Sequence, residues 1–215
     1  MEDLSDKRKV YNSGYLLESE LKENPIEMFR DWYFMAENSS LISEPNAMCI
    51  TTIENNLIPR SRMVLLKQFT WEGFIFYTNY LSRKGKAILE NPQVCLHFFW
   101  DVLEKQIIIN GKAEKLAENL SDGYFHSRPR GSQLGAMASP QSKVIPNREY
   151  LENKLSDLDN STKHLEELTR PENWGGYLVK PNQIEFWQGR PNRLHDRIIY
   201  ELNTDGEWVV SRLAP

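Results

Sequence analysis

The chain has 215 residues, of which 40% are hydrophobic and 26% are charged, and its net charge is −4. This composition is typical of a soluble globular protein, and the acidic balance excludes a general nucleic-acid-binding surface. The basic residues are instead grouped locally, which suits small anions better than a polyanion. Because no signal-peptide core and no run of about 18 apolar residues occurs, we expect a cytoplasmic protein without a membrane partner.

The first predicted element is a polar arm. Residues 1–23 are weakly patterned, and we expect them to form a mobile N-terminal arm ahead of a single domain over residues 24–215. A capping asparagine and a proline at Asn24–Pro25 predict a helix that ends near residues 38–40. Five short strands and one helix, which Ser82 caps, should follow, with the strands at 47–54, 61–67, 73–79, 93–100 and 105–114.

The second half of the chain returns to helices and then to strands. The patterns predict helices over 118–127, 131–138 and 147–168, and strands over 177–180, 183–188, 197–201 and 208–212. Short strands with so few helices favour a closed or nearly closed barrel over a parallel sheet. The predicted fold is therefore α+β, mainly β, with peripheral helices.

Two cysteines, Cys49 and Cys95, lie in apolar strand-like runs. Such positions are typical of buried thiols in a reducing compartment, and the sequence leaves a disulfide between them open. The cysteines and the four histidines show no metal-ligand spacing, so we expect no metal.

The most unusual stretch is QIEFWQGRPNRLHDR, over residues 183–197. It predicts a short strand, a turn, and then Arg193, His195 and Arg197 at alternate positions. Alternate residues of an extended segment project to one side, so the three donors could converge on one electron-rich ligand beside an indole ring. A solvated basic edge strand, which opposes aggregation, explains the same residues equally well.

Two further groups of basic residues suggest anion sites. Arg62 and Lys67 flank an apolar strand, so they should leave opposite faces or ends and could serve two anions, or simply be exposed charges. Ser82, Arg83 and Lys84 open a helix, whose free backbone donors and field favour a phosphate.

Tyr124, Arg128 and Ser132 recur every four residues, and on one helix they would offer a phenol, a guanidinium and a hydroxyl to a phosphate monoester. Gln106 would present an amide to a core ligand if it faces inward. Gln141 and Ser142 could add neutral donors, or could be ordinary loop polarity. The sequence contains no dinucleotide fingerprint, Walker loop, nucleophile elbow or carboxylate pair, so the chemistry should belong to a bound cofactor.

Several motifs together resemble the pyridoxamine 5′-phosphate oxidase family, flavin enzymes of vitamin B6 synthesis and salvage. They are RMVLLK, FYTN followed by SRK, YFHSRPRGSQLGAMAS, QS, WGG, IEFWQGRPNRLHDR and the terminal RLAP. The resemblance extends from about Pro25 to Pro215. It implies a split-barrel homodimer that holds two FMN molecules at the subunit interface.

The resemblance also implies the residues of the site. FMN would contact Arg62, Met63, Val64, Leu65, Leu66, Lys67, Tyr77, Thr78, Arg83, Lys84, Gln106, Gln141, Ser142, Trp187 and Arg197. The substrate would contact Arg8, Lys9, Val10, Tyr11, Lys67, Tyr124, Arg128, Ser132, Arg193, Leu194 and His195. Arg193 and His195 would be the catalytic pair, and Arg197 would stabilise negative charge on the reduced flavin.

The implied reaction is the oxidation of pyridoxamine 5′-phosphate and pyridoxine 5′-phosphate to pyridoxal 5′-phosphate, with O2 reduced to H2O2. Its two phosphates, one on FMN and one on the substrate, agree with the two predicted anion sites. The alternatives are a non-catalytic protein that binds FMN or pyridoxal phosphate, and a split-barrel flavin reductase with a nicotinamide donor. The compact monoester site predicted around Arg128 disfavours the reductase.

Overall fold

A curled antiparallel sheet forms the centre of the protein, of which the computed structural model describes residues 2–215. Its strands are β1 (Ala47–Ile53), β2 (Pro59–Leu65), β3 (Gln68–Thr70), β4 (Gly73–Asn79), β5 (Gln93–Trp100), β6 (Lys105–Lys115), β7 (Trp174–Gln188), β8 (Asp196–Leu202) and β9 (Trp208–Leu213). The helices are α1 (Pro25–Glu37), α2 (Arg83–Glu90), α3 (Glu118–Ser127), α4 (Arg130–Ala138) and α5 (Arg148–Thr162).

The sheet order is β2–β1–β5–β6–β7–β4–β3, and β8 and β9 extend it from β7. The long strand β7 forks the sheet, because residues 174–179 pair with β4 whereas residues 183–188 pair with β8. Pro181, which has no N–H to donate, lies between these two pairings. The N–H of Lys67, after β2, donates to the carbonyl of Ile75 in β4 at 2.8 Å and draws the two ends of the path together. The prediction of a nearly closed barrel with peripheral helices is confirmed.

Helix α1 supplies the centre of the core. Asn24 caps the helix by accepting a hydrogen bond from the N–H two residues later, at 2.9 Å. The Phe29 side chain on this helix is 0% exposed, and its ring lies 5.1 Å from Phe69, 4.8 Å from Phe74 and 5.3 Å from Phe98 between centroids. These edge-to-face contacts join α1 to three strands.

Most predicted elements occur within a few residues of their predicted bounds, and three differ. The predicted helix over 147–168 ends at Thr162, where the Arg130 guanidinium donates to the Thr162 carbonyl at 2.7 Å and to the Leu165 carbonyl at 3.3 Å. The strands predicted at 177–180 and 183–188 are one strand, because Pro181 is accommodated at the fork of the sheet. Strand β3 has three residues and was not predicted.

The N-terminal segment packs against the barrel from Tyr11 onward. Leu16 is 1% exposed and belongs to the core, its N–H donates to Asp196 at 3.2 Å, and its carbonyl accepts from Arg212 at 2.8 Å. The mobility of residues 1–23 stays a prediction, and Met1 lies outside the described residues.

Cys49 and Cys95 are free thiols on the adjacent strands β1 and β5, and both are half-buried where burial was expected. Between residues 2 and 215, no helix combines the length and the apolar character that crossing a membrane requires.

Replacing Phe29 by alanine should lower the free energy of unfolding by about 3–5 kcal/mol, because the substitution leaves a cavity among three aromatic rings. Urea denaturation at one fixed protein concentration measures this loss. The control is Phe34→Ala on the same helix, where the side chain is 45% exposed and the expected change is within about 0.5 kcal/mol. Equal losses in the two variants would contradict a central role for Phe29.

Candidate active site

An open cleft of about 680 Å³ lies beside the barrel, within the range of about 300–1,000 Å³ that small-molecule and cofactor sites occupy. Its walls come from the ends of β2 and β4, from α2, and from the corner between α3 and α4. Many of the predicted site residues line it, namely Met63, Val64, Leu65, Lys67, Tyr77, Thr78, Lys84, Tyr124, Arg128, Ser132 and Gln141.

Lys84 is positioned in the cleft by the first turn of α2. Ser82 caps this helix by accepting from the N–H of Gly85 at 3.2 Å. The Lys84 ammonium then donates to Thr78 Oγ1 at 2.8 Å and to Gln141 Oε1 at 3.2 Å. Burial, followed by the nearby charge of Arg62, lowers the pKa of Lys84 to about 8. Both partners are neutral, so the ammonium favours an anion beside it.

Arg62 lies next to this group and has an unused donor. Its Nη1 donates to Thr52 Oγ1 at 2.8 Å and to the Ile50 carbonyl at 3.3 Å. Its Nη2 is buried without a hydrogen-bond partner among residues 2–215. Burial is the main cause that lowers the pKa of Arg62. A buried charged donor without an acceptor is costly, so this atom also favours a bound anion.

Seven residues that the resemblance assigns to FMN lie outside the cleft lining, namely Arg62, Leu66, Arg83, Gln106, Ser142, Trp187 and Arg197. Arg83 is directed to Glu54, with Nε 2.6 Å from Oε1 and Nη2 2.7 Å from Oε2. Leu66 is 4% exposed and packs in the core. Ser142 is exposed and has a φ of 71°, in the left-handed region. Of the polar residues assigned to FMN, Thr78, Lys84 and Gln141 contact one another in the cleft, and Arg62 lies near Lys84.

A second cationic position lies at the corner between α3 and α4. The Arg128 guanidinium lies 4.7 Å from the centre of the Trp174 ring, and its Nη1 is buried without a hydrogen-bond partner in the described part of the chain. Gln133 holds the corner by donating to the Arg128 carbonyl at 2.8 Å. Tyr124 and Ser132 line the cleft beside it. The three predicted residues do not share one helix, since α3 ends and α4 begins around Pro129, but they meet at the same wall.

Three stacked rings form the wall behind Arg128. Tyr77 lies 3.9 Å from Tyr124 and 5.5 Å from Trp174 between centroids, with interplanar angles of 21° and 14°. Burial and then Tyr124 raise the pKa of Tyr77, so its phenol stays neutral. The role of Trp174 was missed, although the WGG motif was noted. The Trp174 carbonyl accepts a hydrogen bond from Arg170 at 2.6 Å, which fixes the backbone at the start of β7.

A second cluster, which we call the His195 cluster, consists of Tyr11, Trp187 and His195. The His195 ring lies 4.7 Å from Trp187 and 5.6 Å from Tyr11, and Tyr11 lies 5.7 Å from Trp187. The backbone N–H of Arg190 donates to Nδ1 of His195 at 3.0 Å. A neutral His195 therefore carries its proton on Nε2, which remains available as a donor.

The residues next to the His195 cluster differ in exposure and in side-chain partners. Arg193 is exposed, has no side-chain partner between residues 2 and 215, and has a φ of 62° directly after Asn192 with a φ of 58°. Consecutive non-glycine residues in this region are strained, and strain of this kind clusters at functional sites. Leu194 between the predicted catalytic residues is 68% exposed. Arg197 donates to both Glu185 oxygens, at 2.8 and 3.1 Å.

Gln106 does not meet the condition of facing inward on which its role toward a core ligand depended. It pairs with Trp187 across β6 and β7 and shares its face with Ile108, whereas Ile107 and Ile109 fill the core. The amide therefore faces outward, beside the His195 cluster, and presents nothing to the barrel interior. Alternation along the sequence shows which residues share a face of the strand. It does not show which face is the outer one here, because both faces carry isoleucine.

The arm residues of the predicted substrate site divide into two kinds. Arg8 and Val10 are exposed, and Arg8 donates only to the nearby Ser5 carbonyl, at 3.3 Å. Lys9 lies 3.5 Å from Glu104, and Tyr11 belongs to the His195 cluster. None of the His195 cluster residues lines the cleft.

Comparison with known proteins shows which families and proteins this chain resembles. Residues 34–160 match the family model described as pyridoxamine 5′-phosphate oxidase, and residues 174–215 match that of the pyridoxine 5′-phosphate oxidase C-terminal dimerisation region. The chain is 56% identical over 215 residues to the pyridoxine/pyridoxamine 5′-phosphate oxidase of Flavobacterium psychrophilum. It is 54% identical over 214 residues to the enzyme of that name from Flavobacterium johnsoniae, and 100% of each chain is covered in both comparisons.

Solved structures show the same fold. PhzG from Burkholderia lata, in complex with tetrahydrophenazine-1-carboxylic acid, superimposes with a TM-score of 0.86 at 28% identity, over 93% of this chain and 98% of that one. A pyridoxamine 5′-phosphate oxidase-related, FMN-binding protein from Nostoc punctiforme gives a TM-score of 0.70 at 14% identity, over 91% and 100%.

Anion binding in the cleft should weaken as Lys84 loses its proton. Since the pKa of Lys84 is about 8, we expect sulfate, whose charge is constant, to bind about tenfold more weakly at about pH 9 than at about pH 7. Calorimetric titration of the flavin-free protein measures this change. Lys84→Met should remove most of the pH dependence, and Lys86→Met, at an exposed position of the same helix, should retain it. A pH dependence that survives in Lys84→Met would exclude Lys84 as its source.

Proposed function

The chain belongs to the pyridoxine/pyridoxamine 5′-phosphate oxidase family, and on this basis we propose that it oxidises pyridoxamine 5′-phosphate and pyridoxine 5′-phosphate to pyridoxal 5′-phosphate with FMN. Dioxygen is reduced to hydrogen peroxide in this proposal. One observation carries it: Arg62, near Lys84, and Arg128, in the cleft wall, each have a buried N–H without a partner within residues 2–215. The reaction needs two phosphates, one on FMN and one on the substrate.

The first position suits the FMN phosphate. Lys84, Thr78 and Gln141 already contact one another, and Arg62 adds a free charged donor. These residues would hold a dianion with charge-assisted hydrogen bonds, which are stronger than neutral ones. When bound, FMN supplies the redox chemistry, because it accepts a hydride from the substrate and passes electrons to dioxygen.

The second position suits the substrate phosphate. Arg128 would donate from its unpaired Nη1, Tyr124 and Ser132 would donate from their hydroxyls, and Lys67 would add a charge from the exposed turn after β2. The stack of Tyr77, Tyr124 and Trp174 limits movement of this wall. A phosphate anchored here holds the reacting carbon in place, so that the reaction behaves as an intramolecular one.

Arg193 and His195 would orient the substrate ring. The Arg190 N–H bound to Nδ1 leaves Nε2–H of His195 as a donor to an electron-rich atom of the substrate. Arg193 has a free guanidinium and would bind alongside it. Arg197 would place positive charge near the cofactor ring, where negative charge grows, although its salt bridge with Glu185 reduces that effect.

The two groups of residues would meet in a homodimer. Trp174 in the cleft wall and Trp187 in the His195 cluster lie near opposite ends of the 15-residue strand β7, which corresponds to about 40 Å along an extended strand. Tyr11, Trp187 and His195 do not line the cleft of their own chain. Residues 174–215, which match the dimerisation region, contain Trp187, Arg193 and His195. We therefore infer that the His195 cluster of one subunit completes the cleft of the other, with FMN at the interface.

The decisive measurement is the visible spectrum of FMN-loaded protein mixed with pyridoxamine 5′-phosphate under nitrogen and then opened to air. We expect the flavin band to bleach and then return, with one peroxide and one aldehyde product per turnover. A band that stays unchanged would indicate a non-catalytic binder. Bleaching by NADH or NADPH alone would indicate a flavin reductase instead.

Replacing Arg193 by leucine should lower kcat/KM by about a hundredfold while the flavin content stays unchanged, because Arg193 would contact the substrate and not the FMN phosphate. Steady-state oxidation of pyridoxamine 5′-phosphate and the flavin-to-protein absorbance ratio measure the two quantities. Arg148→Leu on α5, where the arginine is 85% exposed, is the matched control and should change neither. Unchanged turnover in Arg193→Leu would remove this residue from the mechanism.

A further inference from the structure

Glu104, in the turn between β5 and β6, is a buried carboxylate that the reaction does not use. Its side chain is 2% exposed, and its Oε2 accepts the backbone N–H groups of Asn12 at 2.7 Å and Ser13 at 2.8 Å. The Lys9 ammonium lies 3.5 Å from Oε1. Three groups of the N-terminal arm, from Lys9, Asn12 and Ser13, therefore converge on one carboxylate that lies more than 90 residues away in the chain.

The charge on Glu104 is maintained by this contact. Burial alone would raise the pKa of Glu104, but the hydrogen bonds from Ser13 and Asn12 and the charge of Lys9 outweigh it, and the net pKa is lowered. Glu104 is therefore a carboxylate at neutral pH. Hydrogen bonds to a buried charge are among the strongest in proteins, whereas the same charge without partners would be costly.

The turn that carries Glu104 is itself fixed to the end of β7. The Glu104 carbonyl accepts from the N–H of Gly189 at 2.8 Å and from Gln188 Nε2 at 3.2 Å. A Cβ added to Gly189 would lie 2.9 Å from Cβ of Tyr11 and 3.0 Å from Cβ of Glu104. The arm, the turn and β7 thus meet at a point where only a glycine fits.

Tyr11 is the residue directly before this contact. The Tyr11 ring contacts both Trp187 and His195 at centroid distances below 6 Å. Without the carboxylate, the two N–H groups would turn to water, and the next anchors of the arm would be the Gly14 carbonyl, which accepts from Arg190 at 3.1 Å, and buried Leu16. Val10 before it is 72% exposed.

We propose that Glu104 is a positioning residue that seats Tyr11 on Trp187 and His195 and so completes the substrate site. This inference rests on the proposed function, because the contact between Glu104 and the arm would serve to bind the phosphorylated pyridine substrate. Glu104 contacts neither the cleft nor the other two members of the His195 cluster directly, and it acts through the arm.

The first test measures the contact without any substrate. In the FMN-loaded protein, Glu104→Gln should speed hydrogen exchange of the Asn12 and Ser13 amides by about tenfold or more, because a charge-assisted acceptor is replaced by a neutral one. Asp101→Asn is the matched control, since it removes an exposed carboxylate from the same turn and should leave both amides unchanged. Equal exchange in Glu104→Gln and the unsubstituted protein would overturn the proposal.

The second test separates positioning from a merely structural role. Glu104→Gln should raise KM for pyridoxamine 5′-phosphate by about tenfold, while kcat and the flavin content change by less than about twofold. Tyr11→Ala should raise KM as well. In the Tyr11→Ala background, adding Glu104→Gln should change KM by less than about twofold, because both substitutions remove the same seated ring.

The outcomes distinguish the inference from the proposed function. If the unsubstituted protein oxidises the substrate and Glu104→Gln leaves KM unchanged, or if the two substitutions raise KM independently, the positioning role is wrong and the proposed function stands. If the unsubstituted protein fails to oxidise pyridoxamine 5′-phosphate, the proposed function is wrong and the inference about substrate binding fails with it.

Discussion

The geometry of the site depends on the length of strand β7. A strand of 15 residues pairs with β6 along one edge, and its other edge is shared between β4 and β8. The first half thereby brings Trp174 to the cleft, and the second half carries Trp187 away from it. One continuous strand thus contributes to the cleft near its first residue and to the His195 cluster near its last. A second subunit is the economical way to bring a cleft and a His195 cluster together.

The cationic residues of the cleft favour ligand binding at a cost to the free protein. Buried N–H groups on Arg62 and Arg128 that lack a partner within residues 2–215, together with the lowered pKa of Lys84, are unfavourable until an anion supplies acceptors and charge. A ligand that binds only the folded state then raises the free energy of unfolding, and the gain grows with the logarithm of its concentration over its Kd. Arg83 differs because Glu54 already neutralises it, so its exposed salt bridge contributes little to either stability or binding.

The sequence predicted the elements well because their signals are local. Asn24 and Ser82 mark helix starts by hydrogen bonds to backbone groups two or three residues away, and both caps are present. Residue chemistry also identified Lys84 and Arg128 as anion-binding candidates, and the structure places both in the cleft. In each case the information needed lies within a few residues or in the side chain itself.

What the sequence could not predict depends on distant pairing. The partner of Arg83 is Glu54, 29 residues away, and the outward face of Gln106 follows from its register with Trp187 on another strand. Trp174 and Glu104 carry no local signal either, since an aromatic residue at a strand start and an acid in a turn are ordinary. Only the folded sheet shows that one stacks behind Arg128 and that the other binds the arm.

The N-terminal arm is held mainly by hydrogen bonds to side chains of the barrel. Its stability therefore depends less on the hydrophobic core than the stability of the barrel does. Beyond the apolar anchor of Leu16, the arm backbone is bound by side chains of the body: Glu104 accepts from Asn12 and Ser13, and Arg190 donates to the Gly14 carbonyl at 3.1 Å. Arg190 also donates its backbone N–H to His195. One residue therefore links the seating of the arm to the orientation of the imidazole. Since such bonds can break without opening the hydrophobic core, the arm can respond to a ligand while the barrel stays folded.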